Sequence, residues 1–562
     1  MNHNGVTEML AFERKILKRE IKMKTGFKRV LAMGLAVAMS LAAFTGCGSS
    51  QQQSSNFASG TASTQTAAKK EFNIVCLAGG DTNPSVKDWW IWKEYEKKTG
   101  IHINWTEIPE SAMNDRKNVI MSSGELPDAF WQVTWTNDEL NKYGSQGLFV
   151  NIQPYIQKDA PNLEKLLTKD VKGGLASITM PDKGIYSMPW VMTDLPQANA
   201  RFYLNKNWLK AASLQTPTTI DDLTKTFATF KKQNPNGWPI YMQPDGIGML
   251  NEMLCGSYGV GNNGFKPISD DYYIDKSGKL QFLYTADGMK QMWQQMSAWW
   301  SAGYFYPQTF GKYEYEDWVT AGKVKKQVGM FGWGNADFLY SDASQDYVGI
   351  SALKGPNGDM IQSWCDYPVR SASSFTITKA CKEPETLIKW ADYFYGDEGS
   401  KFAAYGKEGQ TYTLDSANKI RYTDSVLNYK GGAQLGAWQY GLFVYGGNFP
   451  WKSYDSATME TARKQDSADF KGEKFSSYAA DSQKYKADLM PGLMPTTDEA
   501  SQTSSIKTDV DTYVKEARMK FVTGKWNFTS DWEAYVKQLQ KMGIDDYIKV
   551  KQAQYDRYKA QQ

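Results

Sequence analysis

Histidine is almost missing from this 562-residue chain, which has only His3 and His102. A histidine-centred triad would rest wholly on His102, and a multi-histidine metal site is excluded. His102 lies in the alternating run Ile101-His102-Ile103-Asn104-Trp105, which predicts a strand with the imidazole on its polar face. Cysteine is scarce too. The five, at 47, 76, 255, 365 and 381, show no spacing that makes a disulfide framework. Cys76, inside the apolar run Phe72–Leu77, reads as a buried thiol, and Cys365 with Cys381 is the pair to test for a bridge. There is no internal repeat. The one hydrophobic stretch of note, Val30–Ala43, falls short of the roughly 20 residues of a comfortable membrane span. Excess charge is also lacking. The first 46 residues hold eight of the 64 Lys/Arg and three of the 61 Asp/Glu, so the remaining 516 residues carry a net charge of −2. A nucleic-acid partner, which needs a clustered basic surface, is not expected.

What is present begins with an export tag. Lys24, Lys28 and Arg29 precede the apolar run, which ends in Phe44-Thr45-Gly46-Cys47. A basic segment, a short greasy core and small residues before the cut are the parts of a secretory signal. A cysteine directly after them resembles the lipobox of bacterial lipoproteins, with Phe44 bulkier than the usual Leu or Val. That resemblance makes Cys47 the lipid anchor on the extracellular face of the membrane, palmitate-type chains adding about 0.8 kcal/mol per buried methylene. The other reading is an ordinary signal followed by a chance cysteine. Residues 1–22 carry mixed charge and no core pattern, and Met23 is the expected natural start. Gly48 to Lys70, rich in Ser, Gln, Thr and Ala, reads as a flexible tether with a reach of roughly 25–30 Å.

Aromatics are abundant: 20 Trp, 33 Tyr and 25 Phe, a 14% share. Outside the cell such a surplus points to sugars, because the apolar faces of a pyranose stack on flat rings. Most of these rings must still be core.

From Glu71 the sequence reads strand, helix, strand, helix, strand. Phe72–Leu77 is the first strand; Asp88 can cap a helix carrying Trp89, Trp92 and Tyr95 that stops at Gly100; Ile101–Thr106 is the second strand. A helix over Ser111–Ser122 stops at Gly124, and Ala129–Trp131 is the third strand. This order predicts a parallel α/β unit, with ligands beyond the carboxyl ends of the strands. Farther on, Val328–Gly334 reads as a strand running into a Gly-rich turn. Trp293 and Trp299-Trp300 read as one packed helix face, and Ser530-x-x-Glu533 as a capping box before an apolar helix face. A chain of this length predicts two lobes.

Several segments in order resemble the family 1 extracellular solute-binding proteins of ABC importers, in their LplA/LipO-like lipoprotein branch. They are Ser123-Gly124-Glu125-Leu126-Pro127-Asp128, Gly147-Leu148-Phe149-Val150-Asn151-Ile152, Gly184-Ile185-Tyr186-Ser187-Met188-Pro189 and Tyr203-Leu204-Asn205-Lys206-Asn207-Trp208-Leu209. Pro217–Leu223, Tyr405–Tyr412, Phe521–Lys525, Asp531-Trp532 and Asp556-Arg557-Tyr558 follow, so the likeness spans nearly all of 70–560. It implies an α/β, two-lobed periplasmic-binding-protein-like (Venus flytrap) fold that binds a sugar in the cleft and docks on permease subunits. The chain would be a monomer without cofactor or bond chemistry. It implies residues 71–190 and 368–430 in lobe 1 and 191–367 and 431–562 in lobe 2, with crossings near Pro189–Arg201 and Tyr367–Thr378. Many relatives carry a calcium loop. The matching stretch here, Gln233-Asn234-Pro235-Asn236-Gly237-Trp238-Pro239, lacks the carboxylates a hard cation needs, so no metal is expected.

The ligand contacts expected are as follows. Trp333 and Asn335 lie in the Gly-rich turn, with Trp333 the foremost platform. Asp81 and Asn83 follow the first strand, and Trp131 and Trp135 flank a polar loop. Trp190, Arg201, Trp364 and Asp366 lie at the crossings, and Trp438 and Trp451 in Gly-rich aromatic loops. Core packing is the alternative for each ring, and turn capping for Asp81 and Asn83. Two other functions stay open on the residues alone: a secreted glycoside hydrolase using a carboxylate pair, and a receptor for a peptide or other small solute.

Overall fold

The alternation of Phe72, Ile74 and Cys76 with Asn73 and Val75 gives the first strand two unlike faces, as a period of two requires. The structure is a computed structural model that describes residues 70–78, 85–192, 201–244, 246–260, 271–333, 336, 339–340, 343–362, 367–416, 418, 420–429, 436–437, 440, 449–453, 484–485 and 492–561. All of them fall in one unit, Ala68–Gln562. Strands β1 (Lys70–Leu77), β2 (Ile101–Ile108), β3 (Ala129–Trp131) and β4 (Met188–Met192) come first. Next are β5 (Arg201–Asn205), β6 (Trp238–Ile240), the hairpin β7 (Tyr272–Ile274) and β8 (Leu280–Phe282), β9 (Val328–Trp333) and β10 (Tyr347–Ile350). β11 (Val369–Ile377), the hairpin β12 (Tyr412–Leu414) and β13 (Ile420–Tyr422), and β14 (Lys452–Ser453) complete the set.

Two sheets organise the lobes. One has the order β14-β4-β11-β3-β1-β2, the other β10-β5-β9-β6. In the first, β1 pairs in parallel with β2 and β3, the predicted unit, and β11 extends it antiparallel to β3. Phe72, Ile74, Cys76 and Trp131 point into one core, Val75 and Phe130 into another on the opposite face. The second sheet has its own core, built with the helix Asp287–Ser301 and the C-terminal helices Thr497–Val522 and Trp532–Lys541. Trp293 and Trp299 are buried there as the helix pattern predicts, and Trp300 is half-buried against the same core.

Local signals mostly act where the sequence places them. Gly100 and Gly124 end their helices with φ of 70° and 78°, backbone that only glycine adopts freely. His102 lies on β2 with Nδ1 2.8 Å from Glu96 Oε2. Three expectations are corrected. Asp88 closes a short 3-10 turn, and the helix begins at Trp90 without a side-chain cap. Ser530 and Glu533 form no capping box, because the helix starts at Trp532, after Asp531, whose Oδ2 instead accepts from the Asn527 N–H. Capping boxes form at Thr136/Glu139 and Thr496/Glu499. Third, β14 lies beside β4, and Phe449 and Trp451 belong to the first lobe's core, where the expectation puts residues 431–562 in lobe 2.

Behind the crossings, the two lobes are held by polar contacts. The Asn137 side chain donates to the Leu493 carbonyl (3.2 Å) and Asn141 to Thr497 Oγ1 (3.2 Å). Met494 packs into a first-lobe core, while Arg557 clasps Glu499 and the Met494 carbonyl. Tyr367 Oη donates to the Lys172 carbonyl (2.7 Å) and sits 3.4 Å from Tyr558 Oη.

Two outcomes are expected. Trp131 is enclosed by Trp92, Trp390 and Phe375 at 5.1–5.6 Å, so Trp131→Ala should destabilise by about 3–5 kcal/mol in urea unfolding. Burial raises the Glu499 carboxyl pKa, yet the Arg557 guanidinium and the Thr496 N–H outweigh it and hold the group below its ordinary value. A depressed folded pKa adds stability that is complete above the unfolded value of about 4.3 and is lost as pH falls through the folded one. Melting curves between pH 6 and 3 should therefore fall less steeply for Glu499→Gln than for the unaltered chain.

Candidate functional site

Strand direction decides which edge of each sheet can meet a ligand. β1 and β3 run in parallel, so Leu77 and Trp131 end at one edge. β11 is antiparallel to β3, so its first residues, from Val369, continue past Trp131 at that same edge. There β4 ends at Met192, and β14 at Ser453 beside it. In the second sheet Arg201, the start of β5, pairs with Trp333, the end of β9, and Ile350, the end of β10, pairs with Phe202. The chain leaves β4 for β5, β10 for β11, and β14 for the C-terminal helices. The first two connections thus start and end at these two edges, and the third starts from the first sheet's edge; the candidate site is placed at these strand ends.

On the first lobe's edge, Trp190 is half-buried. Its Nε1 donates to Ser453 Oγ at 2.7 Å, and the Arg370 guanidinium lies over its ring at 5.2 Å. The strand beneath is fixed by Tyr395 Oη on the Pro189 carbonyl (2.5 Å) and by the Val191 N–H on the Trp451 carbonyl (2.9 Å). Gln132, directly after β3, is buried with φ 60° and donates its N–H to the Ser374 carbonyl. The other described non-glycine residues with positive φ, such as Lys183 and Asn418, are exposed.

The second lobe's edge carries Trp333, half-buried against its core. Gln243 donates Nε2 to the Gly332 carbonyl (3.2 Å) and so steadies the strand end that bears Trp333. Tyr241 stacks on Tyr306 with ring centres 4.0 Å apart, and Tyr313 Oη donates to the Met242 carbonyl (2.5 Å). Burial and the neighbouring Tyr306 hydroxyl push the Tyr241 phenol well up, so it remains a neutral donor.

Of the residues expected to contact ligand, the structure brings Trp190, Trp333 and the backbone of Arg201 to the crossing edges. It removes three. Trp131, Trp135 and Trp451 are 1%, 2% and 0% exposed. Trp131 sits in the ring cluster above, Trp135 among Phe130, Tyr143 and Phe149, and Trp451 against Phe449. Ring-on-ring packing consumes the faces that a sugar would need. Asp81, Asn83, Asn335, Trp364, Asp366, Trp438 and the anchor Cys47 lie outside the described residues. So does Cys365, while its candidate partner Cys381 is a buried free thiol. Among the described residues no group of three or more His, Cys, Asp or Glu could hold a metal ion. Arg370, Ser453, Tyr306 and Gln132 were not legible as edge residues. Their placement depends on bulges and strand order, for which a sequence carries no local signal.

Comparison with known proteins supplies the lineage. The family described as bacterial extracellular solute-binding protein matches residues 90–401, more than half of the chain. The fructooligosaccharide ABC transporter substrate-binding protein FusA of Streptococcus pneumoniae is 26% identical over 95% of this chain and 99% of its own. Lipoprotein LipO of Bacillus subtilis is 26% identical over 67% of this chain and 73% of its own. The structure of S. pneumoniae FusA in complex with kestose superposes with a TM-score of 0.68 at 23% identity, covering 88% of this chain and all of that one, which shows the shared two-lobed fold. By the extent of the family match, the chain belongs to the bacterial extracellular solute-binding proteins, which bind their solutes and are not enzymes.

Proposed function

We propose that this protein is a lipid-anchored receptor that captures a short oligosaccharide between its lobes and delivers it to an ABC-type permease. The observation that carries the sugar reading is the pair of half-buried indoles, Trp190 and Trp333, one on each crossing edge. Flat rings on opposing edges suit the apolar faces of sugar units, and the surrounding hydroxyl and amide groups suit their polar rims. Hinge closure at the three crossings would then enclose the ligand. The fructooligosaccharide protein to which this chain is similar over nearly its whole length makes neutral fructans the first class to test. By their place in the sequence, Asp81, Asn83, Arg201, Asn335, Trp364, Asp366 and Trp438 complete the proposed contact set. Cys47 supplies the anchor, and the similarity to a protein named as a lipoprotein supports that reading.

Kestose at about 100 times its Kd should stabilise the protein by about 2.7 kcal/mol, read as a raised melting temperature. Trp333→Ala should weaken binding at least roughly tenfold, a loss of about 1.4 kcal/mol, in calorimetric titration. Absence of any shift across a panel of neutral and acidic oligosaccharides would sink the sugar reading. In cells, Cys47→Ser should move the protein from the membrane fraction to the medium and abolish labelling by radioactive palmitate. Retention in the membrane would overturn the anchor.

A further inference from the structure

Arg370 is out of step with its own strand. β11 pairs with β4 at Val369↔Val191 and next at Ser371↔Trp190, where a regular antiparallel ladder would put residue 370 opposite Trp190. One extra residue is therefore inserted, and that residue is Arg370. A bulge of this kind re-aims the side chain that it carries. Here the guanidinium comes to lie over the Trp190 ring at 5.2 Å. The ring is itself fixed, since its Nε1 donates to Ser453 Oγ at 2.7 Å and Ser453 is 1% exposed. Three neighbouring strands, β4, β11 and β14, thus each give one side chain to a single stack at the crossing edge. Trp190 and Arg370 are both half-buried, so the stack is neither sealed in the core nor freely hydrated.

We propose that Arg370 is a ligand-contacting residue. Its guanidinium, held over the Trp190 ring, presents N–H donors to the hydroxyl oxygens of one sugar unit, and Trp190 and Ser453 are the floor that positions it. A guanidinium is planar and carries five donors in a fixed fork, unlike the ammonium of lysine. Held over an indole it gives up part of its freedom before the ligand arrives, so less entropy is lost on binding. The inference rests on the sugar reading and deepens it, because it names a contact on the first lobe that fixes orientation through hydrogen bonds rather than stacking alone.

The test is calorimetric titration of kestose into the full chain, purified from membranes in detergent, with Arg370→Lys, Arg370→Gln and Ser453→Ala. Melting temperatures are measured without sugar. Both Arg370 variants should weaken binding about tenfold or more, as loss of hydrogen bonds from a charged donor does. Their melting temperatures should stay within about 2 °C of the unaltered chain, the range of a small surface change. Ser453→Ala should give a smaller loss of about threefold, from a loosened floor. Binding by either Arg370 variant within about twofold of the unaltered chain would overturn the proposal. So would weakening that follows a lowered melting temperature in both variants, which assigns Arg370 a structural part only. If the unaltered chain binds neither kestose nor any other oligosaccharide, the sugar reading fails and takes this contact with it. That result is read before any variant is made, so the two failures are distinct.

Discussion

Two sheets that share no strand can belong to one protein only if the chain passes between them, and here it does so twice at the same pair of edges and a third time from the end of β14 to the C-terminal helices. This restriction orders the rest. Connections that ran across a sheet face would displace the helices that bury it, so the passages must leave from strand ends. Whatever binds at those ends is bounded on both sides by backbone fixed in a ladder. The C-terminal helix Ile544–Ala560 lies behind the passages, where Arg557 and Tyr558 hold the segment and the strand that connect the lobes. These contacts tie the two lobes together.

The aromatic surplus divides between two tasks. Most rings build the cores, as the knot of Trp92, Trp131, Trp390 and Phe394 in the first lobe shows. Large rings bury much area per residue and lock one another in tilted or edge-on geometry. The few left half-buried at strand ends, Trp190 and Trp333 among them, are distinguished by position and not by type.

That division explains what was legible in advance. The parallel unit, its helix stops at Gly100 and Gly124 and the strand that runs into the Gly-rich turn after Trp333 follow from periodicity and glycine, which are local signals. Trp131 and Trp135 depart from expectation because rings that flank a polar loop at a strand end need not face outward. In fact β3 lies between β1 and β11 in the sheet, and the left-handed backbone at Gln132 turns the chain back so that Trp135 enters a core. Trp451 misled because its short strand joins the first lobe beside β4, a long-range pairing with no local mark. Arg370 was unreadable for the same reason: a bulge exists only relative to the partner strand.

One scarcity has a consequence for where such a receptor can work. Beyond residue 46 the sole imidazole is His102, at the start of β2 and hence at the sheet end remote from the passages. No side chain with an ordinary titration point near neutrality therefore stands at the mouth. In the receptor reading proposed above, acidification of the surroundings would protonate no imidazole beside the bound solute.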